Sequence, residues 1–162
     1  MSDLICDTSP IQYLHQLDLL RILPALGEKV LVPLAVVDEL TVGRSLGVNL
    51  PDMEALDWAT IRRPISAAAL PLVAHLGPGE TQVLMLALEM PKAVAVLDDA
   101  IARQMAETLG LRFTGTLGLL LDAKKAGIVA QVRPLLDRLN ALEFHLAPHT
   151  YKIVLRLAGE AE

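Results

Sequence analysis

The chain reads as an α/β protein with a mainly parallel central sheet, and three features of the sequence point there. Short apolar runs, "LIC" (4–6), "KVLVP" (29–33) and "AVAVL" (93–97), have the length and composition of buried strands. Each is followed within two residues by a longer segment with helical spacing, the alternation that parallel strands joined by helical crossovers require. Several of those segments close on a glycine (Gly43, Gly110, Gly127), as helices commonly do.

Taken in order, "TSPIQYLHQL" opens a helix after the first strand, with Ser9 as N-cap and Pro10 at the first helical position. "DLLRILPAL" is a second short helix that should stop near Pro24 and Gly27. "KVLVP" is a strand, and "LAVVDELTVG" the helix behind it, ended by Gly43. Residues 44–51 form a loop and "DMEALDWA" a weak helix. "TIRRPI" suits an edge strand, because Pro64 lacks the N–H that a central strand must donate. "GPGETQVLMLALEM" is a helix entered through a Gly-Pro-Gly turn, "AVAVL" the most apolar strand, and "DDAIARQMAETLG" a helix finished by Gly110. "LRFTG" and "TLGLLLDAKKAG" repeat the strand-then-helix pattern. Two last helices, "VRPLLDRLNAL" and "HTYKIVLRLAGE", complete a single expected domain over 1–162. The helices of 130–160 pack on that domain or on a partner.

Hydrophobic residues make up 53% and aromatics only 3%, so the core is built from Leu, Val, Ile and Ala. Apolar stretches such as "AAALPLVAHL" (67–76) are broken far short of the ~20 residues of a membrane span. "MSDLICD" has no basic segment of the kind that opens a secretory signal. Cys6 is the sole cysteine, which excludes an internal disulfide and suits a reducing cytoplasm. The four histidines are dispersed and lack zinc-site spacing. "GPGET" lacks the Gly-Lys-Ser/Thr ending of a nucleotide loop. A net charge of −5 argues against a general electrostatic grip on nucleic acid. It leaves room for a local basic groove, or for an acidic pocket neutralised by a cation.

The acids supply the first functional hint. Asp7 directly follows the first strand, and Asp98 and Asp99 directly follow the most apolar one. In a parallel sheet the carboxyl ends of all strands share one edge, and ligands bind in the crevice outside it. On the helix of "LAVVDEL", Val36, Val37 and Leu40 define the apolar arc. Asp38 then falls opposite that arc and Glu39 at its border. Glu80 lies in the first turn of a helix, where a carboxylate is also favoured for plain electrostatic reasons, as it is for Asp7 and Asp99. Capping accounts for each acid singly but not for their convergence. Several carboxylates with no His or Cys beside them suit a hard cation, Mg2+ or Mn2+. Phosphodiester hydrolysis is the natural chemistry of such a site.

The ordered set "ICDTSPIQYL", "LVPLAVVDEL", "LGPGETQVLMLALE", "AVLDDAIARQMAETLGL" and "FTGTLGLLLDAKKAG" resembles the PIN-domain superfamily. More narrowly it is similar to a PIN-like branch once described only as a domain of unknown function. The resemblance runs from about Leu4 to Gly159. It implies a three-layer α/β/α sandwich and a Mg2+- or Mn2+-dependent ribonuclease. Many relatives are toxins of type II toxin–antitoxin pairs, so RNA and a small antitoxin protein are the implied partners. On this mapping the site acids are Asp7, Glu39, Glu80 and one of Asp98 and Asp99. Thr8 and Ser9 match the small hydroxyl positions beside the first acid, and Thr116 lies near the same edge. One departure concerns the further acid that many PIN nucleases carry after the last strand. Leu117 stands there, and Asp122, a turn further on, faces solvent. A one-metal site is consistent with that, and so is a catalytically silent scaffold that binds RNA or a protein.

Among the basic residues Arg44, Arg62, Arg63, Arg103, Lys124 and Lys125, Arg103 is the best placed for RNA, one turn after Asp99. Tyr151, Val154, Leu155 and Ala158 share one arc of the last helix. With the apolar composition, that arc leads us to expect a homodimer or a surface covered by an antitoxin.

Overall fold

The computed structural model describes residues 1–66 and 75–161; most of the apolar stretch 67–76 thus lies outside the described residues. Five strands, β1 (Leu4–Cys6), β2 (Val30–Pro33), β3 (Ala59–Arg62), β4 (Val94–Val96) and β5 (Phe113–Thr114), form one sheet in the order β3-β2-β1-β4-β5. Every pairing is parallel. The connecting helices are α1 (Thr8–Gln16), α2 (Ile22–Leu26), α3 (Leu34–Ser45), α4 (Pro78–Glu89), α5 (Ala100–Thr108) and α6 (Thr116–Lys125). Two more, α7 (Arg133–Ala141) and α8 (Pro148–Leu157), follow the sheet. The result is the mainly parallel α/β fold that the strand–helix alternation predicts, in the three-layer α/β/α form that the resemblance implies.

Burial explains the strand compositions. Every residue of β1 and β2 is buried, which is why these strands are continuous apolar runs rather than alternating ones. β3 is the edge, mostly exposed, with Pro64 just beyond it. Ile5, Leu31, Val96, Leu84, Leu86 and Leu119 are among the fully buried aliphatic side chains at the centre of the core. α4 spans β1, β2 and β4 and packs beside α3.

Three local readings differ from the sequence expectation. Asp7, not Ser9, occupies the N-cap position of α1, with extended backbone but no capping bond from its side chain. α3 continues past Gly43 to Ser45, and Gly43, which has no left-handed backbone, lies under the side chain of Leu50. The turn is instead made at Gly47, whose φ of +86° suits glycine. "DMEALDWA" contracts to a single 3-10 turn, Met53–Ala55, held by the Asp52 carboxylate accepting from the Glu54 N–H.

The strand order has a functional consequence. From β1 the chain builds outward through β2 to β3, then returns to β4 on the other side of β1. The connections therefore diverge from each other at the β1/β4 boundary, leaving a crevice above it. Asp7 and Asp98 are the residues that leave these two strands at that end.

The C-terminal helices are fastened by polar contacts. Arg138 donates to the carbonyls of Gln16 (3.1 Å) and Leu17 (3.3 Å), the open end of α1, where a cation is favoured. Phe144 meets Tyr13 edge-on at 4.9 Å between centroids. Glu160 accepts from Lys124 Nζ (2.9 Å) on α6 and from the backbone N–H groups of Val132 (2.7 Å) and Arg133 (3.0 Å).

Candidate active site

Asp7 is 4% exposed, a carboxylate at the end of a wholly apolar strand. Its backbone still belongs to the sheet, since its N–H donates to the Val96 carbonyl at 3.1 Å. Burial is the main cause that pushes its carboxyl up to about 7. The Thr8 N–H opposes the rise, while the charges of Glu80, Glu39 and Asp98 add to it. Of these, Asp98 is the neighbour that the strand-end argument expects, while Glu39 comes from the helical arc and Glu80 from the family resemblance.

Glu39 arrives from α3. Its carboxylate accepts from the Gly79 N–H at 2.8 Å and from the Thr8 hydroxyl at 3.2 Å, which ties α3 to the starts of α4 and α1. Asp38 beside it is exposed, as the helical arc predicts. The two helices are further locked where Ala35 N–H donates to Gln82 Oε1 at 2.9 Å. A β-carbon at residue 79 would collide with Glu39 Oε1 and lie 2.9 Å from Oε2, so the carboxylate occupies space that only glycine leaves free.

Glu80, the third residue of α4, folds back to accept from the Gly77 N–H at 3.2 Å, so it does serve its helix start. It is only half-buried, and partial burial, then the charges of Asp99 and Glu39, raise its carboxyl above the usual range despite that N–H. Asp7, Thr8, Ser9, Gln12, Glu39, Gly77, Pro78 and Glu80 line a cleft of about 210 Å3. Gln12 is a lining residue with no signal in the sequence beyond its place one turn into α1.

Asp98 and Asp99 diverge. Asp99 is exposed and caps α5, accepting from the Ala102 N–H at 2.9 Å. Asp98 turns to the crevice and is gripped from both sides. Its Oδ1 accepts from the Thr116 N–H (2.8 Å); its Oδ2 accepts from the Thr116 hydroxyl (2.7 Å) and the Ser9 hydroxyl (3.2 Å). Thr116 is fully buried at the first position of α6, so the two bonds to one carboxylate fix the Asp98 rotamer. Thr8 and Ser9 therefore hold two different acids, Glu39 and Asp98, on opposite sides of Asp7. Asp122 is exposed on α6, and Leu117 half-buried.

Several of the basic residues are otherwise engaged. Lys124 is bound to Glu160 and the Ala158 carbonyl, Arg44 lies 3.6 Å from Asp52, and Arg62 donates to Met90 Sδ at 3.6 Å. Arg63 and Lys125 are exposed.

The donor chemistry fits a hard divalent cation: carboxylate and hydroxyl oxygens and the Gln12 amide, with no His or Cys, around a buried acid with no cationic side chain among the lining residues. Among the described residues no three His, Cys, Asp or Glu side chains stand together as a preformed metal cage. Magnesium usually keeps several of its waters and is held by one or two carboxylates together with substrate phosphates, so a full protein cage is not required.

A family model for the PIN domain matches residues 3–160. No curated protein matches the chain.

Proposed function

Since this chain belongs to the PIN-domain family, whose members are in general nucleases, we propose that its acidic crevice hydrolyses phosphodiester bonds of RNA with a Mg2+ or Mn2+ ion. The observation that carries this reading is Asp7, buried at the strand-order switch with its carboxyl raised to about 7 among three other acids. Such a charge is costly to the fold unless a cation completes the site. Asp7, Glu39, Glu80 and Asp98 are the residues that would hold the ion, directly or through water. A bound cation would polarise a phosphate oxygen and offset the negative charge that develops as the bond is cut.

The protein's own groups set the geometry. Thr116 and Ser9 keep Asp98 in one rotamer, and Gly79 and Thr8 do the same for Glu39. Glu80 is half-buried and lines the same cleft as Asp7, which places its carboxylate to orient an attacking water.

Asp98 and Asp99 provide the decisive comparison. Asp98→Asn should lower Mn2+-stimulated cleavage of a single-stranded RNA by about 100-fold or more, the scale of losing a positioned charged group. Asp99→Asn should stay within a few-fold of the parent, because asparagine caps a helix as well as aspartate does. Equal losses in both, or no cleavage by the parent protein with either metal, would overturn the assignment. If the chain acts as a toxin, its expression should arrest growth, and Asp7→Asn should relieve the arrest.

Gly79→Ala separates positioning from folding. Any gain in helix propensity from alanine, at most about 1 kcal/mol, is offset by the bonds that the displaced Glu39 carboxylate gives up, so the melting temperature should move by only a few degrees. The Glu39 carboxylate must swing away, and cleavage should fall about tenfold or more, the scale set by a misplacement near 1 Å. A fully active Gly79→Ala protein would remove Glu39 from the site.

A further inference from the structure

On the β5 side of Asp98 lies a second cleft of about 470 Å3, lined by Asp98, Ala100, Arg103, Gln104, Glu107 and Phe113. Arg103 is firmly placed in it. Its Nη1 donates to the Leu97 carbonyl at 2.9 Å, and its guanidinium carbon sits 5.1 Å from the centre of the Phe113 ring. A β-carbon at residue 115 would lie 2.6 Å from that same Nη1 and 2.9 Å from Asp98 Oδ1. Gly115 thus lets the guanidinium and the site carboxylate share one wall. The only ion pairs among the described residues are Arg44–Asp52, Lys124–Glu160 and Arg138–Asp18, so Arg103 has none. One of its five N–H donors is used in the hydrogen bond to Leu97, and the half-buried side chain lines a cleft beside the proposed cutting site.

From this geometry we infer that Arg103 binds the phosphate next to the one that is cut, on the β5 side, an assignment that rests on the RNA-cleavage reading above. A planar fork already held against an aromatic ring loses little freedom when it engages phosphate oxygens. The Phe113 face toward Arg103 is covered by the guanidinium, so the feature presents a cation to the strand rather than a ring for a base to stack on. Asp98 on one side and Glu107 on the other confine the anion to Arg103, and Gln104 offers a neutral amide to the adjoining sugar or base.

The test uses the full chain carrying Asp7→Asn, so that the probe is not cut, and a fluorescein-labelled single-stranded RNA 12-mer. Anisotropy titrations from low to moderate KCl give Kd and its salt dependence for this protein and for versions that also carry Arg103→Gln or Arg103→Lys. Removing one phosphate contact should weaken binding by about tenfold and lower the slope of log Kd against log salt by about 0.7. Arg103→Lys should restore the slope and only part of the affinity, since lysine keeps the charge and loses the fork. A purely structural arginine would leave the slope unchanged, so equal slopes with intact RNA binding overturn this inference alone. No RNA binding by any of the three proteins, each shown folded by its melting curve, overturns it together with the RNA-cleavage reading.

Discussion

Asp7→Asn will silence cleavage and, at pH 8 without divalent metal, make the protein harder to unfold. The same burial that suits Asp7 to a cation destabilises the metal-free fold. Its carboxyl titrates near 3.8 in an unfolded chain and at about 7 in the folded one. A raised carboxyl means that the folded state must hold an unfavourable charge at any pH above 7. That cost, about 2–4 kcal/mol for a shift of this size, is absent from the asparagine variant. As pH falls from 7 toward 4, the parent recovers its proton and the two stabilities should converge. Adding Mg2+ or Mn2+ at pH 8 should reverse the order, because binding stabilises only the protein that retains the ligand. Thermal melts of both proteins at pH 5 and pH 8, each with and without Mn2+, check all four corners. A variant less stable than the parent at pH 8 without metal would show that Asp7 is a structural acid.

The second large effect lies at the other end of the molecule. Glu160→Ala should lower stability by about 1–3 kcal/mol, equivalent to roughly 3–10 °C in Tm for a chain of this size. The carboxylate is 11% exposed, and its loss takes from Lys124 its one carboxylate partner, leaving the Ala158 carbonyl, and leaves two backbone N–H groups without the acceptor that now satisfies them. Burial by itself would raise the Glu160 carboxyl, but the Val132 N–H, Lys124 and the Arg133 N–H outweigh it and hold it down at about 2. A depressed carboxyl contributes fully above its unfolded value near 4.5 and loses that contribution as pH falls toward 2. The difference between parent and variant should therefore be constant from pH 5 to 8 and vanish at about pH 2. Urea unfolding across that range, followed by far-ultraviolet circular dichroism, measures it.

How far the sequence could be read depends on which physical signal each feature leaves in it. The strands were legible because burial on both faces forces unbroken apolar runs, and the edge strand because Pro64 follows it. The placement of Asp7 and the Asp98/Asp99 pair on one sheet edge follows from topology and that of Glu39 from one helical angle, whereas Glu80 was marked out by the family resemblance. The choice between Asp98 and Asp99 follows from none of these, since two adjacent acids differ only in backbone rotation, which no composition or period encodes. Ser9 looked like a cap because its neighbours Thr8 and Pro10 suit a helix start. In the fold its hydroxyl serves Asp98, a partner 89 positions away. Gly79 was legible only as a turn residue, because the carboxylate that needs its missing β-carbon comes from another helix. Gly43 misled for the same reason in reverse: a packing contact with Leu50, not a turn, requires glycine there.

Helix α6 joins the two regions on which these predictions bear. Its first residue, Thr116, clamps Asp98, and Lys124 in its last turn clamps Glu160. Ten helical residues form a stiff strut about 15 Å long, so the acid that faces the crevice and the acid that fastens the C-terminal segment are moored to one lever. A ligand, fusion or crosslink that pulls on the chain near Glu160 would therefore act on the helix that holds the Asp98 rotamer, without touching the crevice.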